Sequence, residues 1–156
     1  MIVKEIMTKE VITLSPNDSL VKAAKVLVEN NIGAAPVVDE DEKVVGIIAE
    51  SDLVNVMQYK DDLGSSLLML VPGYGERWSF QKSFEDTEKW LKHVEEGKVK
   101  EEMSENPYTL KPEDPVSKVS ELFVVKNVNQ APVVIEDDQL VGIVSRADLV
   151  KAMKEV

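Results

Sequence analysis

The residues best placed to do chemistry in this sequence form two short polar segments, Ser145-Arg146-Ala147-Asp148 and Ala49-Glu50-Ser51-Asp52. An ionised carboxylate accepts charge-assisted hydrogen bonds, and a hydroxyl or the free N–H groups at a helix start donate to an anion. Asp and Ser are also favoured at helix starts, where they cap the backbone. The segments therefore predict either contacts to a polar ligand or helix capping.

Catalytic and metal-binding chemistry finds little support elsewhere. The sequence has no Cys, which excludes a cysteine nucleophile, and its single His, His93, lies in no recognisable catalytic constellation. We expect His93 to face solvent. The acidic runs 39–42 and 136–138 lack metal-loop spacing and are typical of solvated hairpin turns, and Gly73-Tyr74-Gly75 lacks the third Gly of a dinucleotide fingerprint. We expect no catalytic residue, no metal and no cofactor.

Charge and hydropathy limit the partners. The net charge of −11 argues against nucleic acid, because phosphate backbones are bound by clustered Lys and Arg. No run of about 18 apolar residues is present that could span a membrane, and the start of the chain lacks the apolar stretch of a secretory signal. Together with the absence of Cys, these features favour a cytoplasmic protein without a membrane partner.

An internal duplication organises the chain. Shifting the sequence by 96 positions aligns residues 3–57 with 99–153 without a gap, and 24 of the 55 aligned positions are identical. The longest matches are Ala35-Pro36-Val37-Val38 with Ala131-Pro132-Val133-Val134. The sequence therefore predicts three parts: repeat 1 at 1–57, an insert at 58–96 and repeat 2 at 97–156.

Each repeat reads as a β-α-β-β-α unit. The β-branched run 11–14 predicts a short strand that ends at Ser15-Pro16. Asp18 or Ser19 can cap a helix whose apolar residues recur at helical spacing, and Gly33 suits a left-handed cap at its end. Segments 35–38 and 44–48 predict two strands joined by the charged turn, and a last helix begins near Ser51-Asp52.

One such unit is too small to bury its apolar face well. The expected fold is therefore α/β (α+β), with the two repeats packed as a pseudo-two-fold pair. The apolar helix faces left outside also predict a homodimer.

This ordered set of motifs, present twice and in register, resembles the CBS domain, named after cystathionine β-synthase. The pattern includes Met-Thr near the start, Thr before Pro, Ala-Pro-Val-Val-Asp, and Val-Gly-Ile-Ile before an Asp-Leu helix. Tandem CBS pairs, called Bateman modules, act as sensors or regulators rather than catalysts. The resemblance implies that an adenosine-containing ligand (AMP, ADP or ATP) binds between the repeats and passes a signal to an effector protein. S-adenosylmethionine sensing, and structural dimerisation without nucleotide, remain alternatives.

The resemblance also implies which residues bind. In repeat 2 the Ser/Thr-x-x-Asp motif is intact, so Asp148 is expected to hold the ribose, Ser145 the phosphate, and Arg146 to supply a cation. Adenine recognition is implied for the walls around the first strand and the segment before Pro. In repeat 2 these wall residues are Thr109, Leu110, Pro112, Asn129, Gln130, Ala131 and Pro132. In repeat 1 they are Thr13, Leu14, Pro16, Gly33, Ala34, Ala35 and Pro36, beside Asp52.

Repeat 1 departs from the family motif. Ala49 replaces the hydroxyl of Ser145, and Glu50, which would repel phosphate, replaces Arg146. We therefore expect the repeat 2 site to bind a phosphorylated nucleoside more strongly. The repeat 1 site is expected either to stay empty or to prefer a ligand without that phosphate.

The insert is not a polar linker, because it holds six of the eight aromatic residues. These are Tyr59, Tyr74, Trp78, Phe80, Phe84 and Trp90. The segment 84–94 reads as an amphipathic helix. Three interpretations remain open: packing onto the chain's own core, an interface with another chain, or a lid over the nucleotide cleft.

Overall fold

The computed structural model describes residues 1–57, 88–89 and 91–156. The first repeat contains α1 (Val3–Ile6), α2 (Leu20–Glu29), β1 (Ala34–Val38), β2 (Val44–Ala49) and α3 (Glu50–Met57). The second contains α4 (Val99–Glu102), β3 (Ser104–Glu105), α5 (Val116–Val125), β4 (Gln130–Val134), β5 (Leu140–Ser145) and α6 (Arg146–Ala152). Short 3₁₀ turns lie at Glu136–Asp138 and Met153–Glu155, and residues 91–96 are helical.

The central hairpins of the two repeats have the same geometry. Strand β1 pairs antiparallel with β2, with Pro36 opposite Ile47, and β4 pairs with β5, with Pro132 opposite Ile143. Both hairpins carry a register shift at equivalent positions, after Val37 and after Val133. The hairpins and their flanking helices confirm the predicted mixed α/β fold of two related units.

The first predicted strand of each repeat is much shorter than expected. Only Leu14 of the run 11–14 forms a bridge, parallel to Val37, and Leu110 does the same with Val133 in repeat 2. Leu14 N–H donates to Pro36 O at 3.0 Å, and Leu14 O accepts from Val38 N–H at 2.9 Å. Only the leucine of this run is buried. Its burial favours pairing with the sheet at this one residue, and the other residues of the run remain outside the sheet.

The helix caps correct one prediction and confirm another. Ser19 caps α2, because its Oγ accepts from Lys22 N–H at 3.0 Å. Gly33 was expected to take the left-handed position after this helix, but Asn31 takes it, at φ 50°. Its counterpart Asn127 has φ 52°. Asn tolerates this conformation better than most other side chains, so the left-handed residue lies two positions before Gly33.

The opening segments of the two repeats are exchanged between the hairpins. In α1, Val3 N–H donates to Asp114 O at 2.9 Å, and Thr8 bridges antiparallel to Ile143 of β5. Symmetrically, Val99 N–H donates to Asp18 O at 2.9 Å, and β3 pairs with β2 of repeat 1. Each repeat therefore closes the other through backbone hydrogen bonds.

The hydrophobic cores follow this exchange. Val99 of α4 is fully buried in the core of the first hairpin, and Val3 of α1 is fully buried in the core of the second. The first core also contains Leu14, Leu20, Ala23, Leu27, Ala35, Val37, Ile48 and Val56. The second also contains Leu110, Val119, Phe123, Ala131, Val133 and Val144. The two repeats are thus folded as one intertwined, pseudo-two-fold pair, whose hairpin ends also meet where Lys43 bridges to Gln139.

The acidic hairpin turn of repeat 1 has a structural role. Asp39 Oδ1 accepts from the N–H groups of Asp41 at 2.9 Å and Lys43 at 3.0 Å, which fixes the turn. Within residues 1–57, 88–89 and 91–156, no three His, Cys, Asp or Glu side chains gather closely enough to hold a metal ion. Over the same ranges, no helix has both the length and the apolar character needed to cross a bilayer.

Two equivalent aspartates predict the acid stability of the fold. Burial alone would raise their pKa, but hydrogen bonds from Ser15 N–H and Lys22 lower the pKa of Asp18 below its usual 3.8, and Lys118 and Lys111 N–H do the same for Asp114. A lowered carboxyl pKa in the folded state stabilises the fold above about pH 4, and this stabilisation is lost as the pH falls through the folded-state pKa.

We therefore expect Asp18→Asn to flatten the loss of stability as the pH falls below about 4. The measurement is the midpoint of urea unfolding as a function of pH. Glu40→Gln, at an exposed turn position, is the control for removing one negative charge. An acid dependence equally steep in Asp18→Asn and wild type would contradict the prediction.

Candidate functional site

Two clefts lie at the junction of the repeats, and each contains one of the two candidate aspartates. The Asp148 cleft, lined by the start of α6, has a volume of about 570 Å³. The Asp52 cleft, lined by the start of α3, has about 360 Å³. Gly33, Ala34, Asn129 and Gln130 line both clefts, so the two share a wall.

The linings are related by the 96-residue repeat. The Asp148 cleft is lined by Thr8, Asn31, Ile32, Ile143, Ser145, Arg146 and Ala147, and the Asp52 cleft by their counterparts Ser104, Asn127, Val128, Ile47, Ala49, Glu50 and Ser51. The Asp148 cleft is additionally lined by Glu10, Val11, Ile12 and Lys151. The pseudo-two-fold axis therefore relates two clefts of similar backbone but different side chains.

Asp148 and Ser145 form a reciprocal cap at the start of α6. Asp148 Oδ2 accepts from Ser145 N–H at 2.8 Å and from Ser145 Oγ at 2.7 Å, while Ser145 Oγ accepts from Asp148 N–H at 3.3 Å. Asp148 Oδ1 lies 4.0 Å from Lys151 Nζ, too far for a hydrogen bond. The cap thus fixes the carboxylate through one oxygen and leaves the other available to accept from a hydroxyl.

Asp52 has the same position but one partner fewer. Its Oδ2 accepts from Ala49 N–H at 2.8 Å, and Ala49 has no hydroxyl to add a second bond. Burial raises the pKa of Asp52 above its usual 3.8, an effect that the Ala49 hydrogen bond only partly offsets. The negative charge is therefore less well stabilised in the Asp52 cleft than a carboxylate with a Ser partner would be.

Arg146 is tied to the end of the preceding helix. Its Nη2 donates to Phe123 O at 3.0 Å and its Nε to Val128 O at 3.2 Å. Phe123 lies in the last turn of α5, where carbonyls lack partners within the helix and a cation is favoured. Contact with a ligand phosphate would use the remaining guanidinium N–H groups or break these bonds.

This geometry predicts a structural cost for Arg146→Ala. Losing two hydrogen bonds from a charged donor should lower the free energy of unfolding by about 1–2 kcal/mol even without ligand. Glu50→Ala is the matched control at the equivalent position, where changes at surface sites usually stay within about 0.5 kcal/mol. Urea unfolding of both variants measures the difference, and equal losses would contradict the capping role.

The structure brings together about half of the predicted wall and site residues. Those lining one or both clefts are Gly33, Ala34, Asp52, Asn129, Gln130, Ser145, Arg146 and Asp148. Those outside both linings are Thr13, Leu14, Pro16, Ala35, Pro36, Thr109, Leu110, Pro112, Ala131 and Pro132. Leu14, Leu110, Ala35 and Ala131 are instead buried core residues. For all the residues outside the linings, a role in adenine recognition stays a prediction. The clefts are lined instead by residues near them in the sequence.

Several cleft residues were not predicted from the sequence, among them Thr8, Glu10, Val11, Ile12 and Lys151 of the Asp148 cleft. The first four reach the Asp148 cleft because the opening segment of repeat 1 crosses to β5 of repeat 2. Lys151 lies one turn after Asp148 on α6, so helical spacing from the predicted aspartate would have located it. The exchange itself leaves no local sequence signal.

His93 lies outside the two clefts at the junction of the repeats. His93 was expected to face solvent, but it is half-buried, and its Nε2 lies 3.7 Å from Glu102 Oε1 at the end of α4. It borders a third cleft of about 440 Å³ with Lys89, Lys92 and Glu101. The interpretations of Tyr59, Tyr74, Trp78, Phe80, Phe84 and Trp90 lie outside the described residues.

The chain is similar to known proteins along nearly its whole length. The chain is 32% identical to an uncharacterized protein of Methanocaldococcus jannaschii over 98% of this chain and 91% of the relative. It is similar to the CBS domain pair of protein MJ0100 in complex with 5′-methylthioadenosine and S-adenosyl-L-methionine, with 26% identity, a TM-score of 0.73, and coverage of 99% of this chain and 97% of that one. It shares the fold of CBSX2 in complex with AMP, with 20% identity, a TM-score of 0.73, and coverage of 99% and 96%.

The family assignment follows from both repeats. The profile of the CBS domain matches residues 3–59 and again residues 99–155. These two ranges contain the hairpins, the exchanged opening segments and both candidate aspartates. The chain belongs to the CBS domain family, as a tandem pair.

Proposed function

We propose that this chain is a regulatory sensor that binds an adenosine-containing ligand, such as AMP, ADP or ATP, in the Asp148 cleft. The observation that carries the proposal is the Ser145–Asp148 pair, held at the cleft by a reciprocal cap with one carboxylate oxygen left available. The 26% identical domain pair with 5′-methylthioadenosine and S-adenosylmethionine supports the adenosine part of the ligand. It also supports S-adenosylmethionine as the alternative ligand.

The cleft offers a partner for each part of an adenosine ligand. Asp148 Oδ1 would accept from the ribose hydroxyls, and charge-assisted bonds of this kind are strong. The apolar side chains of Val11, Ile12 and Ile143 provide surfaces against which the adenine ring packs. Lys151 provides a cationic donor at the side where a 5′-phosphate would lie, and Ser145 Oγ–H would donate to the phosphate only by leaving Asp148 Oδ2.

The sensing mechanism follows from the two-sided lining. The Asp148 cleft is built from the opening segment and β1 of repeat 1 and from β5 and α6 of repeat 2. A ligand bound there favours the relative position of the repeats that fits it, provided that it binds two states with different affinity. The proposed output is a conformational or association change read by a separate effector protein, and no catalytic role is assigned to the chain.

A homodimer is part of the proposal. Val28 on α2 and its counterpart Val124 on α5 are 79% and 76% exposed, and Val150 on α6 is 61% exposed. Covering such side chains is favourable at about 25 cal/mol per Å² of apolar surface. Sedimentation with and without ligand measures the association. We also propose that the protein is cytoplasmic and has neither nucleic acid nor a membrane as a partner.

Calorimetric titration of the full chain with AMP, ATP and S-adenosylmethionine tests the proposal. Saturable binding of one of them, weakened in Asp148→Asn, is the expected result. Absence of binding by all three would leave the structural dimerisation module as the better description. Chromatography of the nucleotides after incubation checks for turnover, which the proposal does not allow.

A further inference from the structure

The two clefts differ most in charge. Among the described residues, the Asp148 cleft is lined by two cationic side chains, Arg146 and Lys151, and two anionic ones, Glu10 and Asp148. The Asp52 cleft is lined by two anionic side chains, Glu50 and Asp52, and by no cationic one. The formal sums are therefore 2 − 2 = 0 for the Asp148 cleft and 0 − 2 = −2 for the Asp52 cleft.

Substitutions at the repeat positions produce this difference. Glu50 stands where repeat 2 has Arg146, and Asn55 stands where repeat 2 has Lys151. Both changes remove a positive charge, and the first adds a negative one. The backbone at the two positions is equivalent, because Glu50 N–H donates to Gly33 O at 2.9 Å and Arg146 N–H donates to Asn129 O at 3.0 Å. The clefts thus present different formal charges, 0 and −2, on the same backbone framework.

The Glu50 carboxylate lies at the wall that the clefts share. A methyl group built on Gly33 would stand 3.9 Å from Glu50 Oε2 and 3.3 Å from Gln130 Nε2. The Glu50 carboxylate therefore lies close to Gly33 at the wall of the Asp52 cleft. Arg146, by contrast, is bound to the carbonyls of Phe123 and Val128. The acidic side chain thus lies at the cleft wall, whereas its basic counterpart is held by backbone carbonyls of its own repeat.

Size separates the clefts in the same direction. The shared wall residues line both clefts and do not account for the difference in volume, about 360 Å³ for the Asp52 cleft against about 570 Å³ for the Asp148 cleft. Glu10, Val11, Ile12 and Lys151 line only the larger, Asp148 cleft. A ligand in the Asp52 cleft shares the smaller space with both of its carboxylates. Charges within about 10 Å are only partly screened at 0.1 M salt, so Glu50 and Asp52 both act on it.

We infer that the Asp52 cleft selects an adenosine ligand with a positively charged 5′ substituent, such as a sulfonium, and rejects a 5′-phosphate, with Glu50 as the specificity-determining residue. The inference rests on the proposed function, since it assumes that adenosine ligands bind between the repeats. It divides the ligands by charge: anionic nucleotides in the Asp148 cleft and cationic ones in the Asp52 cleft.

Asp148→Asn isolates the Asp52 cleft for the test, because it weakens the other site while keeping an oxygen to accept from Ser145 N–H. The probes are S-adenosylmethionine and S-adenosylhomocysteine, which differ by one methyl group and its positive charge, together with AMP. We expect S-adenosylmethionine to bind about tenfold tighter than S-adenosylhomocysteine in this background. Adding Glu50→Gln should abolish the preference, and adding Glu50→Arg should strengthen AMP binding by about tenfold. Glu40→Gln, at the exposed turn, is the matched loss of charge outside the clefts.

The outcomes separate this inference from the proposed function. Equal binding of the two sulfur ligands, no binding in the Asp148→Asn background, or a preference unchanged by Glu50→Gln would overturn charge selection while AMP binding by wild type still supports the sensor. Absence of binding of all three probes by wild type would overturn both. Urea unfolding of every variant shows whether a lost signal reflects a lost fold.

Discussion

Asp148→Ala is expected to weaken AMP binding by roughly ten- to a hundredfold, because removing a charge-assisted hydrogen-bond partner costs about 1.5–3 kcal/mol. The carboxylate is already oriented by Ser145, whose N–H and hydroxyl both donate to Oδ2 at 2.8 and 2.7 Å. The ribose hydroxyls would therefore meet a fixed acceptor. Titration calorimetry on the full chain measures the change in Kd.

The same substitution also removes a helix cap, so the control must lose a cap as well. Asp52→Ala does so, since Asp52 Oδ2 accepts from Ala49 N–H at 2.8 Å. Each variant should lose about 0.5–2 kcal/mol of stability from its cap. The two variants are expected to differ in AMP affinity, which Asp52→Ala should lower less than Asp148→Ala.

Asp148→Asn separates charge from shape. Its amide oxygen can still accept from Ser145 N–H, but it carries no charge and receives only ordinary hydrogen bonds, which are about half as strong as charged ones. We expect an intermediate loss of AMP affinity and a smaller loss of stability than in Asp148→Ala. Equal losses of affinity in Asp148→Ala and Asp52→Ala, or no loss at Asp148, would contradict the unequal sites.

Most of the fold could be predicted because its signals are local. The hairpins follow from paired apolar runs around a charged turn, and the α2 cap follows from Ser19. Because of the duplication, the same elements could be predicted for repeat 2 from the alignment with repeat 1. Gly33 shows the limit of such reasoning: Asn31, two residues earlier, could also adopt positive φ, and only the tertiary position of the chain decides between them.

The site was predictable only where its residues lie on one element. Ser145 and Asp148 are three residues apart at the start of α6, so their pairing follows from helix geometry. Thr8 reaches the same cleft from more than 130 positions away in the sequence, through its bridge to Ile143. Composition and periodicity carry no information on such an exchange. Leu14 and Leu110, expected at an adenine wall, are buried and lie outside both cleft linings, so their part in adenine recognition stays a prediction.

Two equivalent glycines, Gly142 and Gly46, pack against the exchanged opening segments. Substituting them is expected to affect AMP binding differently. A Cβ at Gly142 would stand 2.6 Å from Met7 Sδ and 3.1 Å from Thr8 O. A Cβ at Gly46 would stand 2.6 Å from Met103 Sδ and 3.0 Å from Ser104 O. The methionine chain can move, but the carbonyl is backbone, and Thr8 O also accepts from Ile143 N–H at 3.0 Å. Both glycines are therefore needed for the close approach of an exchanged segment.

Gly142→Val and Gly46→Val should each lower the free energy of unfolding by about 1–3 kcal/mol through overpacking. Their effects on binding should differ, because Thr8 lines the Asp148 cleft and Ser104 lines the Asp52 cleft. We expect Gly142→Val to weaken AMP binding severalfold and Gly46→Val to leave it near the wild-type value. Urea unfolding and AMP titration of the two variants measure both effects.

Each variant serves as the control of the other, since the steric conflict and the expected loss of stability are nearly equal. A loss of AMP affinity shared by both would point to general loosening of the pair rather than to the lining of one cleft. A loss confined to Gly46→Val would place AMP in the Asp52 cleft. The expected pattern, in which stability falls in both and affinity falls only in Gly142→Val, requires that the opening segment of repeat 1 completes the ligand site of repeat 2.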